Sequence, residues 1–365
     1  MKKILFHIGH PAHFQLFKNI VFELKEKGHT CFILIKKKDI LENLLIESGF
    51  DYVNILPEGK KKSKFDLIYG MLKRDWRMFR FCIKNKPDIL IRTSVEISHI
   101  GTLLRIPSIN VGEDDAAVIP LYAKFSYPFS TIILTPTVCN NGKWERKSVK
   151  YNGYHELAYL HPDVFTPSKE IVRKYFNPDE PYFIMRFVSL TAHHDAGIRG
   201  INTEIASQII AMLEPYGKIY ITSERPLEKE FEKYRLHINP LDIHHVMAYA
   251  KMLIGDSQTM AAEAGVLGVP YIRFNDFVGK IEYLEEIENV YHLGKGVRPT
   301  LVSELYNAVS YYLNEDDLYE KQIIRREKML NEKINVKSFF VWLIENYPES
   351  KEIMKRNPDY QYIFK

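Results

Sequence analysis

Between Met252 and Phe274 the chain reads MLIGDSQTMAAEAGVLGVPYIRF, and that order of residue types admits few folds. Met252–Ile254 is a short apolar run. Gly255-Asp256-Ser257-Gln258-Thr259 is turn chemistry that ends in residues suited to capping a helix. Met260–Leu267 is rich in alanine and carries Glu263 one turn in. Gly268 stops the helix, Pro270 resets the chain, and Tyr271–Phe274 is extended again. The order is strand, polar turn, helix, short loop, strand, which is a βαβ unit. The start of such a helix presents backbone N–H groups and the positive end of a dipole, so it suits a phosphate or diphosphate. A carboxylate one turn further on can take both hydroxyls of a ribose. The plain alternative is an ordinary βαβ unit with a solvated Glu263.

The same alternation runs through the rest of the chain. Lys2–His7 is a compact apolar run of the buried parallel type. Gly9–His13 is a turn, and Phe14–Lys27 carries an apolar stripe at Phe14, Phe17, Ile20, Val21 and Leu24, capped by Gly28. Cys31–Ile35, Tyr52–Leu56, Ile89–Arg92, Ser108–Val111, Ile132–Leu134 and Val149–Tyr151 read as strands. Ile40–Ser48, Phe65–Lys84 and Thr93–Leu104 read as helices between them. In the second half Tyr182–Phe187 and Lys218–Thr222 are strands. Ile201–Leu213, Pro226–Lys233 and Leu241–Ala250 are helices, with the central stretch next. Gly279–Ile287 and Val290–Leu293 follow as short elements, then helices across 300–346 and a polar, aromatic tail. Strands alternating with helices imply parallel sheets covered on both faces.

A chain of 365 residues exceeds one typical core and suits two domains. We place the boundary near 165, giving domains 1–165 and 166–346 and a tail 347–365. No run of 18 apolar residues occurs, and the opening MKKILFHIGHPAHF breaks at Gly9-His10-Pro11, so it reads as a first strand rather than a signal peptide. The three scattered cysteines fit buried thiols in a reducing cytoplasm. A net charge of +4 is mild and no nucleic-acid signature accompanies it. The helix over Phe65–Lys84 mixes Lys73, Arg74, Arg77 and Arg80 with Trp76, Phe79 and Phe81. Such a surface suits anionic lipid; the alternative is a solvated helix with its aromatics in the core.

Asp256, Ser257, Glu263, Leu267, Gly268 and Pro270 stand at the spacing of the nucleotide-diphosphate-sugar site of GT-B-fold proteins. The run is especially similar to that of the UDP-N-acetylglucosamine 2-epimerases, with Gln258 and Thr259 in place of two glycines. With its opening GHPAH and its GDSQTMAAEA, the chain also resembles a family of GT-B-like proteins associated with microbial surface polysaccharides. The resemblance implies an α/β fold of GT-B type, two Rossmann-like doubly wound domains facing a central cleft. It also implies an acceptor domain before a nucleotide-sugar domain, and a C-terminal segment that crosses back to the first.

Ligands of such sheets bind at the loops that follow strands, and four loops stand out. Gly9-His10-Pro11-Ala12-His13 resembles the opening loop of the N-acetylglucosaminyltransferase of peptidoglycan synthesis, which ends in a histidine. His13 falls at that position, where a neutral imidazole can take an acceptor proton; alternatively it caps the first helix. Glu113, with Asp114 and Asp115, could supply a second base or hold a sugar hydroxyl. Arg186 ends a strand and could pair with the diphosphate. Beside it stand Ser189 and His193, the latter in a Thr191-Ala192-His193 run similar to a motif of the epimerases. Adjacent His193, His194 and Asp195 do not make a zinc set, and no metal or cofactor is expected. In the fourth loop the resemblance sets Pro240–Ile243 beside the uracil ring. Gly255, Asp256, Ser257, Gln258 and Thr259 then surround the diphosphate, and Glu263 meets the ribose. His244 and His245 read as packing or surface residues.

Two reactions fit the scaffold. A transferase needs a base and a hold on the departing diphosphate, which His13, Arg186 and the helix after Gly255 meet. A 2-epimerase needs acids near sugar C2, yet Val95 stands where one family acid would be, and Glu113 comes one place late for the next. The expectation is a cytoplasmic glycosyltransferase using a UDP-sugar and a saccharide or lipid-linked acceptor, with the epimerase and a non-catalytic nucleotide-sugar binder as alternatives. Peripheral contact with the inner membrane face and association with a second copy are both compatible with this reading.

Overall fold

The computed structural model describes the chain except residues 37–39, 57–63, 93–94 and 189–198, and of residues 64–72 and 96 only the backbone. The chain divides into two units. One comprises Met1–Tyr159 with Ile334–Lys365, the other Leu160–Lys333. The division thus falls a few residues before 165, and the return to the first unit begins at Ile334 rather than after 346.

The first unit holds seven strands: β1 (Lys3–Ile8), β2 (Thr30–Lys36), β3 (Val53–Leu56), β4 (Ile89–Arg92), β5 (Ser108–Val111), β6 (Ile132–Pro136) and β7 (Ser148–Tyr151). All pair in parallel, in the order β3-β2-β1-β4-β5-β6-β7. The order reverses between β1 and β4, where Leu5 pairs with Leu90. β4, β5 and β6 are buried along their whole length, which is why they read as continuous apolar runs. The helix Pro11–Glu26 starts earlier than its apolar stripe indicates, because His10 Nδ1 accepts the Ala12 N–H at 3.2 Å and Pro11 opens the first turn. In the helix Lys64–Asn85, Met78 and Cys82 are buried and Phe79 and Phe81 pack on the same core. Trp76 stays 58 % exposed.

The returning segment is anchored by polar and aromatic contacts. The Ile334 N–H donates to Asn152 O at 2.9 Å. Phe339 and Phe340 pack on the ring of Tyr151, at 6.1 and 5.1 Å between ring centres. The helix Val336–Glu345 ends at Lys2, whose ammonium donates to the carbonyls of Ile344 and Glu345 at 3.3 and 2.7 Å. A cation placed there meets the negative end of the helix dipole.

The second unit holds β8 (Tyr182–Phe187), β9 (Lys218–Ser223), β10 (Met252–Gly255), β11 (Tyr271–Phe274) and β12 (Gly294–Val297). All are parallel, in the order β12-β11-β10-β8-β9. Here the reversal lies between β8 and β10. The helices Thr203–Leu213 and Val302–Asn314 close one face with Ile205, Ile209, Leu305 and Val309.

Several expected elements change. Leu241–Ala250 is not one helix but a 3-10 turn, Pro240–Asp242, followed by the short helix Ile243–Met247; Pro240 has no N–H to donate and Asn239 caps the turn. Pro226–Lys233 is replaced by the 3-10 segment Lys229–Tyr234. The short elements after the central stretch are the helix Glu282–Asn289 and the last strand, Gly294–Val297, with Val290–Leu293 between them. Two glycines in β12 hide it from an apolar count. A side chain at Gly294 would stand 2.3 Å from the Tyr271 ring, and one at Gly296 would stand 2.3 Å from Glu288 Oε2.

Candidate functional site

The reversal between β8 and β10 puts two loop ends side by side, where doubly wound sheets bind ligands. β10 runs close against β8: a Cβ on Gly255 would lie 2.6 Å from the carbonyl oxygen of Arg186, so only glycine fits. Asp256 then turns inward. Its carboxylate is buried and accepts the N–H of Val188 at 2.8 Å and of Ile201 at 3.3 Å. Asn275 donates to its backbone carbonyl at 2.9 Å. Asp256 therefore ties the ends of the segment after β8 to β10; its oxygens serve the backbone. Burial outweighs those hydrogen bonds and pushes its carboxyl up to about 6.

Ser257 is the N-cap of the helix Gln258–Leu267 and accepts the Met260 N–H at 3.3 Å; Gly268, at φ 81°, closes it in the left-handed conformation. The two preceding N–H groups, of Gln258 and Thr259, have no hydrogen-bond partner among the described residues, and both residues are partly exposed. One turn on, Glu263 is buried, with Oε1 3.0 Å from His244 Nε2. His244 is buried beside the Phe165 ring and also meets Glu263; its place at the start of the broken helix, one residue after the partly buried Ile243, could not be read from helical period.

Arg186 ends β8. Its guanidinium donates to Thr222 Oγ1 at 3.0 Å and pairs with Glu224, which leans it toward β9. A second guanidinium, that of Arg225, stacks 5.2 Å over the Phe187 ring and donates to Ile201 O at 2.9 Å, while its Nε has no hydrogen-bond partner among the described residues. Arg225, Asp256, Gly200, Asn202, Val188 and Phe274 border a cavity of about 580 Å³. Ser189 and His193, with the Thr191-Ala192-His193 run, lie outside the described residues.

In the first unit, Gly9 and His13 sit at the corresponding reversal between β1 and β4. A Cβ on Gly9 would lie 3.1 Å from an Arg92 nitrogen and 3.2 Å from Lys36 Cε, so two cations converge on this loop. Arg92 is buried, with Nη1 2.5 Å from His7 Nδ1. His13 lies among them: burial, then His10, Arg92, His155 and Lys36, hold its imidazole well below the ordinary histidine range. Glu113, in the loop after β5, meets His155, whose N–H donates to Oε1 at 2.7 Å. Asp115 accepts the Asn140 N–H at 2.6 Å and shapes the same loop. No group of three or more His, Cys, Asp or Glu side chains among the described residues could hold a metal ion. No helix among them is long and apolar enough to cross a membrane.

Two doubly wound parallel units of this kind define a protein of the GT-B fold. The chain belongs to the family described as "Protein of unknown function (DUF354)", whose model matches residues 2–338. No curated protein matches it in sequence. Solved structures of the same fold include S. aureus MnaA with UDP, at TM-score 0.67 and 15% identity over 96% of this chain and 98% of that one. A putative UDP-N-acetylglucosamine 2-epimerase from Listeria monocytogenes has TM-score 0.69 and 12% identity over 95% and 96% of the two chains. The glycosyltransferase SsfS6 of Streptomyces sp. SF2575 with thymidine diphosphate has TM-score 0.59 and 13% identity over 94% and 99%.

Proposed function

We propose that this chain is a nucleotide-sugar enzyme, and that it transfers a sugar from a UDP-sugar of the UDP-N-acetylglucosamine type to a polysaccharide or lipid-linked acceptor. One observation carries the reading: the N–H groups of Gln258 and Thr259 have no hydrogen-bond partner among the described residues, at the start of a ten-residue helix and at the reversal of a parallel sheet. A diphosphate satisfies both donors and meets the dipole. Glu263, one turn on, accepts from the ribose, and His244 holds its carboxylate in place. Arg225 adds positive charge at the neighbouring cavity; Arg186 is committed to Glu224 and Thr222 and can join only by leaving them. The fold shared with proteins solved with UDP and with thymidine diphosphate supports the same class of donor. In the first unit His13 and Glu113 are the candidates for handling the acceptor proton. No metal or cofactor is part of this reading.

Incubation with UDP-N-acetylglucosamine separates the alternatives. UDP release that depends on an added acceptor supports transfer. Release without acceptor, or a sugar inverted at C2, supports the epimerase. Binding without turnover supports a non-catalytic binder. Glu263→Gln should keep the His244 hydrogen bond yet weaken UDP at least about tenfold, the worth of a hydrogen bond to a charged group. Unchanged UDP affinity, measured by titration calorimetry, removes Glu263 from the ribose site.

A further inference from the structure

We propose that the first unit rests on an anionic lipid bilayer through one helical layer, made by Lys64–Asn85, Val95–Leu104, Pro120–Ser126 and the 3-10 turn Tyr127–Phe129. The inference concerns the first unit alone and does not depend on the reaction assigned above. Lys64–Asn85 packs against Val95–Leu104, which packs in turn against Pro120–Ser126 and the turn that continues it. Met78, Cys82, Ile97 and Ile100 face the core. Trp76, Ile83, Leu103, Leu121, Phe125 and Phe129 do not: each is between 43 % and 68 % exposed.

The spacing of these outward residues is helical. Ile83 stands two turns beyond Trp76, and Phe125 and Phe129 follow Leu121 at intervals of four residues, which is one face of a helix. His99 fixes that row to the neighbouring helix. Its Nε2 donates to Phe125 O at 2.9 Å, and its ring meets the Phe129 ring edge to face at 4.9 Å. Single exposed apolar residues need no explanation, but six on adjoining elements mark an interaction surface.

Charge decides what covers it. Arg80 stands between Trp76 and Ile83, Lys84 follows Ile83, and Arg105 comes two residues after Leu103. Lys124 precedes Phe125, with its ammonium 5.9 Å from that ring centre. All four cations are exposed, and none pairs with a carboxylate among the described residues. Asp75 is the one acid among the described side chains of these helices, and it is half-buried; no acid occurs from Ile97 to Gly112 or from Ala116 to Trp144. By contrast Lys27 and Lys337, at the packed helices Pro11–Glu26 and Val336–Glu345, pair with Glu345 and Glu23. A second copy meeting this face with its own would set cation against cation. A bilayer with acidic headgroups instead takes the cations at its surface, while their stems and the apolar rows enter the boundary with the acyl chains. Trp76, an apolar body with one polar N–H, suits that boundary.

The test is sedimentation of the full chain with vesicles, either of phosphatidylglycerol mixed with phosphatidylcholine or of phosphatidylcholine alone. The chain should bind the anionic vesicles several-fold more tightly than the neutral ones, and added salt should release it. Leu121→Ser with Phe125→Ser should weaken binding about tenfold or more. Arg105→Gln with Lys124→Gln should weaken it about fivefold for each cation removed. Ile46→Ser, at an exposed position of the helix Leu41–Glu47, which packs on Pro11–Glu26, should bind as wild type does. Thermal unfolding should match wild type in all three, because every changed side chain is exposed; should the Leu121 and Phe125 variant unfold, the Arg105 and Lys124 variant decides. No binding to the anionic vesicles, or undiminished binding by either folded double variant, overturns the proposal. A dimer in sedimentation equilibrium that the Leu121 and Phe125 variant abolishes also overturns it and assigns the face to a second copy. Each of these failures leaves the nucleotide-sugar reading standing, since UDP binding is measured separately.

Discussion

Replacing Arg273 with methionine should cost the second unit about 3–5 kcal/mol, the typical result of removing one partner from a buried ion pair. Arg273 is the third residue of β11, and its side chain is fully buried. Nε donates to Glu288 Oε1 at 2.8 Å, Nη2 donates to Glu288 Oε2 at 2.9 Å, and a third bond reaches Glu285 at 3.2 Å. Glu288 is buried too, and Tyr271 donates to it at 3.3 Å. Without the guanidinium its carboxylate would face a low-dielectric interior with one phenol for company. Arg273→Met with Glu288→Met together should recover most of the loss, because both desolvated charges are then gone. Urea unfolding checks this; a single-variant loss below about 1 kcal/mol would place the pair near the surface in energetic terms.

Asp256→Ala should cost about 2–4 kcal/mol and also weaken UDP. Two backbone donors, of Val188 and Ile201, lose their acceptor, and each buried group left unsatisfied costs about 1–3 kcal/mol. The turn into the helix Gln258–Leu267 then loses its tie to the segment after β8. The pH dependence gives a sharper signature. Burial raises the carboxyl from 3.8 to about 6 on folding. Its contribution to stability is therefore fully present below pH about 4 and is lost as pH rises through about 6, on the order of 3 kcal/mol in all. Asp256→Asn cannot titrate, so the wild type minus this variant should decline across that window. A flat difference between pH 4 and 7 would show that the carboxyl titrates normally.

Much of the fold was legible because buried parallel strands are plain apolar runs and glycine ends helices in recognisable ways. Ile89–Arg92, Ser108–Val111 and Tyr182–Phe187 stand where they were read. β12 was not legible, since GKGV owes its place to the close approach of Tyr271 and Glu288 rather than to its own hydrophobicity. The helix start at Ser257 was visible from its cap residues, and the structure adds that its next two N–H groups have no hydrogen-bond partner among the described residues. What local pattern could not show was partnership at a distance. Asp256 reads as a ligand-facing acid but spends both oxygens on backbone 55 and 68 residues away. His244 meets Glu263 across 19 residues and His155 meets Glu113 across 42. The one available signal for His155 was its position just past the end of a parallel strand.

The central claim is that a nucleoside diphosphate is held where the helix Gln258–Leu267 begins. A crystal structure of the chain grown with UDP tests it most directly. Phosphate oxygens should lie about 3 Å from the N–H groups of Gln258 and Thr259, with a ribose hydroxyl on the Glu263 carboxylate. UDP bound elsewhere, with those two N–H groups still bare, would contradict it.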